Sequence, residues 1–127
     1  MLADHAQAKL LKKVARGTRH TPGQMNKLEA KYAAWLEMGK MGGNIEWYAF
    51  EAITLKLAFD TRYTPDFLVM LPNGELQCHE VKGAKGKSFW SREDSKIKIK
   101  VAATLFPFRF FIAWPSMDSW DLKEVSQ

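Results

Sequence analysis

Between Asn26 and Met41 the apolar residues Leu28, Tyr32, Trp35 and Leu36 recur at helical spacing, and Gly42-Gly43 follows. The pattern predicts a helix with one apolar stripe, stopped by the glycines. Asn26 suits the N-cap and Glu29 the N3 position of a capping box. From Ile45 to Phe59 the character changes, with Trp47, Phe50, Ile53, Leu55 and Leu57 favouring extended chain. This stretch is read as two strands, or as one strand bent around Glu51-Ala52. Asp60-Thr61 then turns the chain, and Glu51 is read as structural or solvent-facing.

Phe67-Leu68-Val69-Met70-Leu71 is a continuous apolar run, Pro72-Asn73-Gly74 is turn chemistry, and Glu75 to Lys82 alternates. Two strands joined by a tight turn are expected. Alternate side chains of a strand share a face, so Cys78, Glu80 and Lys82 point one way and Val81 the other. A hairpin folded at Asn73-Gly74 returns the end of the second strand to the start of the first, where Asp66 follows Pro65. Three charged groups then meet at one sheet edge.

Ser91 to Phe106 admits two patterns. Lys96-Ile97-Lys98-Ile99-Lys100-Val101 alternates as a strand would, whereas Ser91-x-x-Asp94 resembles a helix cap and Ile97, Val101 and Leu105 are spaced by four. The helix is preferred, ending before Pro107. A helical crossover also carries the chain to a parallel strand at residues 108–114, a connection that needs a dozen or so residues. The fold class expected is α/β, a mixed central sheet flanked by helices.

Two carboxylates beside an ammonium at the end of apolar strands form a hard oxygen-ligand site for a divalent cation. The lysine can orient or deprotonate a water, or offset charge on a phosphate under attack. Phosphodiester hydrolysis suits that set. The plain alternative is a salt bridge between Glu80 and Lys82, with Asp66 merely opening a strand.

The segment TPDF…HEVKG, residues 64–67 and 79–83, resembles the PD-(D/E)xK nuclease superfamily, with Pro65-Asp66 as the PD and Glu80-Val81-Lys82 as the ExK. From about Met25 to Trp114 the chain also looks like a small phage-encoded group in that superfamily, known mostly as a domain of unknown function. The resemblance implies a restriction-endonuclease-like fold, metal dependence and DNA cleavage. It implies Mg²⁺, replaceable by Mn²⁺, on Asp66, Glu80 and the Val81 carbonyl, with Lys82 positioning the attacking water. Glu29 is either the capping residue or, as a first-helix glutamate is in several branches of the family, a third metal carboxylate.

Composition fits this reading without deciding it. The 127 residues, 46% hydrophobic, suffice for one core, and the net charge of +5 favours an anionic partner, nucleic acid or acidic lipid alike. No apolar run approaches the roughly 20 residues that span a bilayer, and the N-terminus lacks a signal-peptide core. A cytoplasmic protein, with no membrane partner, is expected. The lone Cys78 has neither a disulfide partner nor zinc-type neighbours.

Residues 1–24 form a basic arm or short helix carrying Lys12, Lys13 and Arg16, or a frayed terminus, and residues 25–127 form one domain. The segment 83–90 lacks the glycine spacing of a phosphate loop, so nucleotide binding is rejected; Lys85, Lys87 and Trp90 there can meet backbone phosphate or a base. Lys96 and Lys100 share a helix face with Lys98 displaced, either as a solvated basic face or as phosphate contacts. No sequence-reading module is visible, so selection of DNA by shape is expected, as in a Holliday-junction resolvase. A less selective or nicking endonuclease in phage packaging, replication or recombination, and a non-catalytic DNA-binding accessory, are the alternatives. A homodimer is expected, because a junction offers two scissile phosphates and the aromatic load, Trp47, Trp90, Phe110, Phe111, Trp114 and Trp120, can exceed one small core.

Overall fold

The computed structural model describes residues 23–83 and 93–126. Helix α1, Lys27–Met41, begins on the anticipated capping box: Asn26 Oδ1 accepts the Glu29 amide hydrogen at 2.8 Å, and Glu29 Oε1 accepts that of Asn26 at 2.9 Å. It ends as the Asn44 amide bonds back to the Gly39 carbonyl, with Gly43 at φ 86°, a left-handed conformation that costs a side-chain-bearing residue energy.

The strands that follow are β1 (Trp47–Phe50), β2 (Leu55–Ala58), β3 (Thr61–Tyr63), β4 (Phe67–Met70) and β5 (Leu76–Val81). Helix α2 (Glu93–Leu105) then leads to β6 (Arg109–Ser116) and β7 (Ser119–Val125). The main sheet has the order β1-β4-β5-β6-β7, antiparallel except for the parallel β5–β6 pair, while β2 and β3 form a separate two-stranded sheet. The domain is therefore α/β with a mixed central sheet, and α2 is the crossover that a parallel pair requires. None of the described helices is long and apolar enough to cross a membrane.

The sheet divides the core in two. On one face Tyr32 and Leu36 of α1 pack with Phe67, Val69, Val81 and Ala113. On the other, Ile99, Ala102 and Ala103 of α2 pack with Leu55, Tyr63, Leu68, Cys78, Phe110, Ile112 and Trp114. Cys78 and Val81 lie on opposite faces of β5, as period-two alternation demands.

Three features depart from expectation. The buried stripe of α2 is Ile99, Ala102 and Ala103, joined by half-buried Phe106 just past its end, whereas Ile97 and Leu105 are 53% and 54% exposed. The helix packs through Ile99 and two alanines, so bulk alone does not mark its buried face. Strand β7 adds an antiparallel edge that the reading of residues 108–114 did not extend to, its two-residue turn placing Met117 at φ 54°. The aromatic rings mostly fill the monomer: Phe110 and Trp114 are buried and Trp120 meets Tyr32 edge-on at 4.8 Å, while Trp47 is 40% exposed. Trp90 lies outside the described residues.

Candidate active site

Pro65 is fully buried and precedes Asp66 at the entry to β4. The Asp66 carbonyl accepts the Glu51 amide hydrogen at 2.8 Å, and Glu51 sits at φ 48°, so a strained residue fixes the backbone of the aspartate. Glu51 Oε1 also accepts from the Gly23 amide, which makes its described role structural. The register of β4 on β5, Phe67 opposite His79, carries Asp66 to the level of Glu80. There Asp66 Oδ2 accepts the Val81 amide hydrogen at 2.8 Å.

Glu80 is held from two sides. Tyr63 of β3 donates its hydroxyl hydrogen to Oε1 at 2.7 Å, and Lys82 Nζ stands 3.4 Å from Oε2. The Lys82 amide bonds to the Ala113 carbonyl at 2.8 Å, which ties the lysine to the parallel strand β6. Asp66, Glu80 and Lys82 therefore converge at one end of the β4–β5 pair, as alternation predicted.

Burial, then the charge of Glu80, pushes the Asp66 carboxyl above its ordinary range; Glu29's charge adds to the push, while the Val81 amide and Lys82 oppose it. Burial likewise raises Glu80, against Lys82 and the Tyr63 hydroxyl, which pull it down. One ammonium does not offset two buried carboxylates. Short of positive charge, the pair favours the protonated acid; with oxygen donors only, its ionised form would suit a hard divalent cation such as Mg²⁺, which takes one or two carboxylates and keeps several waters. Asp66, Glu80 and the Val81 carbonyl are the atoms that would hold it.

Glu29 is buried, its Oε1 engaged at the helix cap, and its charge reaches Asp66. It stands beside the site as a cap and as a charge. Among the described residues, no three or more His, Cys, Asp or Glu side chains are grouped so as to hold a metal. Cys78 is a core residue whose thiol burial pushes up to about 12, so it stays protonated.

Of the basic residues singled out, Lys96 and Lys98 are half-buried and Lys100 exposed on α2, while Lys12, Lys13, Arg16, Lys85 and Lys87 lie outside the described residues. Sequence reasoning missed Tyr63, which reaches Glu80 from β3, outside the main sheet, where no local period signals the contact. It also missed a buried polar chain along the α1 face of β5. Tyr32 donates to His79 Nδ1 at 2.6 Å, His79 Nε2 donates to Gln77 Oε1 at 2.9 Å, and Gln77 Nε2 donates to Glu75 Oε2. Beyond it, Arg109 bridges Glu75 and Glu124. Burial holds His79 down at about 4, so it is neutral with one ring nitrogen accepting and the other donating.

Comparison with family models, with curated proteins and with solved structures returned no match.

Proposed function

We propose that this protein is a metal-dependent DNA endonuclease of the PD-(D/E)xK kind, selective for branched DNA in the manner of a Holliday-junction resolvase. The observation that carries the reading is the meeting of two buried carboxylates, Asp66 and Glu80, both raised above their usual range, with Lys82 at one strand end. A resting salt bridge needs one acid for one lysine. The second acid, buried and repelled, is explained by a cation.

Mg²⁺ held by Asp66, Glu80 and the Val81 carbonyl would supply Lewis-acid stabilisation of charge on the phosphate and would lower the pKa of a water. The residues of the chain do the rest. Tyr63 fixes the plane of Glu80, the Val81 amide fixes Asp66, and Lys82 orients the attacking water or offsets charge developing on the phosphate. With the net charge of +5 favouring an anionic partner, shape rather than base sequence is the natural discriminator in a domain this small. Action as a homodimer in the cytoplasm, host cytoplasm for a phage gene product, belongs to the same proposal, since a junction presents two scissile phosphates.

Cleavage of a four-way junction, a linear duplex and single-stranded DNA, each with Mg²⁺ and with EDTA, tests the reading. Metal-dependent cutting that favours the junction and disappears in Asp66→Ala and Glu80→Ala, with binding retained, is expected. Equal cutting of junction and duplex would leave a less selective endonuclease. Binding without cutting would leave a DNA-binding accessory, and cutting that persists in EDTA would overturn the metal assignment.

A further inference from the structure

The β2–β3 hairpin has two unlike sides. Leu55 and Tyr63 are register partners, both buried against the α2 core, whereas the next pair, Lys56 and Arg62, is exposed. Two cations therefore stand directly opposite each other on the outer face of a two-stranded ribbon. Like charges placed so destabilise a strand pair, a cost that an anion on that face would relieve.

At the tip, between the strands, Phe59 is 84% exposed, and Lys56 Nζ lies 6.0 Å from its ring centre. A turn needs no phenylalanine, and the ring belongs to neither core cluster of the described residues. The β-bulge between Lys56 and Ala58 breaks the register just before the tip. Bulges re-aim a strand and recur next to functional sites. The hairpin is also joined to the candidate centre: Tyr63, beside Arg62, donates to Glu80, and the chain continues through Thr64-Pro65 to Asp66.

We propose that the β2–β3 hairpin is a DNA-reading finger, in which Lys56 and Arg62 contact backbone phosphates and Phe59 stacks on a base left unstacked at a branch point. The pairing of cations with one exposed ring is the chemistry by which proteins hold unpaired nucleotides: charge follows the backbone and an aromatic face takes a base of any identity. An intact duplex interior offers phosphates but no free base face. Stacking by Phe59 therefore discriminates branched from linear DNA, and phosphate contact by the two cations does not. The proposal rests on the nuclease reading only in taking DNA as the substrate; binding by the hairpin requires no metal and no cleavage.

The test is binding of a fluorescent four-way junction and of a blunt duplex of equal length, in EDTA, by the full chain and its variants. Phe59→Ala is expected to weaken junction binding by about tenfold and to leave duplex binding within about twofold. Phe59→Trp is expected to restore the junction preference, an outcome that a misfolded variant cannot mimic. Lys56→Ala/Arg62→Ala is expected to weaken both substrates and to reduce the slope of log affinity against log salt by about 2. Wild-type junction affinity in Phe59→Ala and in the double variant overturns the proposal, even if the wild type cuts DNA. A wild type that binds but never cuts, with these variants impaired as stated, supports the finger and defeats the nuclease reading. A wild type that binds neither substrate overturns both.

Discussion

Asp66 Oδ2 accepts the Val81 amide hydrogen at 2.8 Å, so the aspartate is held by the strand whose neighbouring residue, Glu80, repels it. The hydrogen bond survives a change to asparagine, whose amide oxygen accepts as well, but the repulsion does not. Asp66 is raised in the folded state, so its ionisation costs stability as pH rises from about 4 upward. In EDTA near pH 8, Asp66→Asn is expected to melt about 5 °C above the wild type, the shift that roughly 1 kcal/mol gives in a domain of this size. The gain should vanish near pH 4. Added Mg²⁺ should raise the wild-type melting point and not that of Asp66→Asn. Thermal melts at the two pH values, with and without Mg²⁺, measure all three.

Substitutions at Lys82 separate charge from proton transfer in the proposed reaction. Lys82→Ala is expected to lower the cleavage rate by roughly 10²-fold or more with a smaller effect on DNA binding. Lys82→Arg keeps the charge but cannot share a proton, and its planar fork reaches differently, so it should not restore the rate. Single-turnover cleavage and binding measured side by side decide this, and full activity in Lys82→Arg would reduce the lysine to a point charge.

Tyr63→Phe removes the hydrogen bond on Glu80 Oε1 and keeps the ring in the α2 core. Cleavage is expected to fall by about tenfold, the worth of one hydrogen bond to a charged group, and the Mg²⁺ concentration for half-maximal rate to rise. An unchanged melting point with an unchanged metal requirement would show that Tyr63 does not position Glu80.

How far this site was legible depended on distance along the chain. Glu80 lies on β5, Lys82 follows its last residue and Asp66 stands across a single hairpin turn, so alternation and turn chemistry sufficed to bring them together. Tyr63 reaches Glu80 from a different sheet, and no local period reports such a contact. The buried face of α2 was not legible because Ala102 and Ala103 pack beside Ile99 while the equally bulky Ile97 and Leu105 face outward. Strand β7 escaped because Met117 occupies the left-handed turn position where glycine or asparagine would have signalled a hairpin. The buried His79 and Gln77 give no local signal of their chain, because its partner Tyr32 comes from α1.

That buried chain has its own pH signature. His79 is held at about 4, so between roughly pH 6.5 and 4 the unfolded chain takes up a proton that the folded one refuses. Stability falls as pH falls through that window, by on the order of 3 kcal/mol if histidine acts alone. His79→Gln is expected to remove that part of the acid slope. Denaturant midpoints for both proteins at pH 7 and pH 5 measure it, and parallel slopes would refute it.

The bond from the Lys82 amide to the Ala113 carbonyl bears on the order in which the centre is assembled. Asp66, Glu80 and Lys82 are synthesised well before β6, yet the lysine-bearing end of β5 acquires its parallel neighbour only after the chain has passed through α2 and returned. A nascent chain halted short of Ala113 would carry every polar group of the centre with the last strand end unanchored. The centre is thereby completed only once the C-terminal strands are in place.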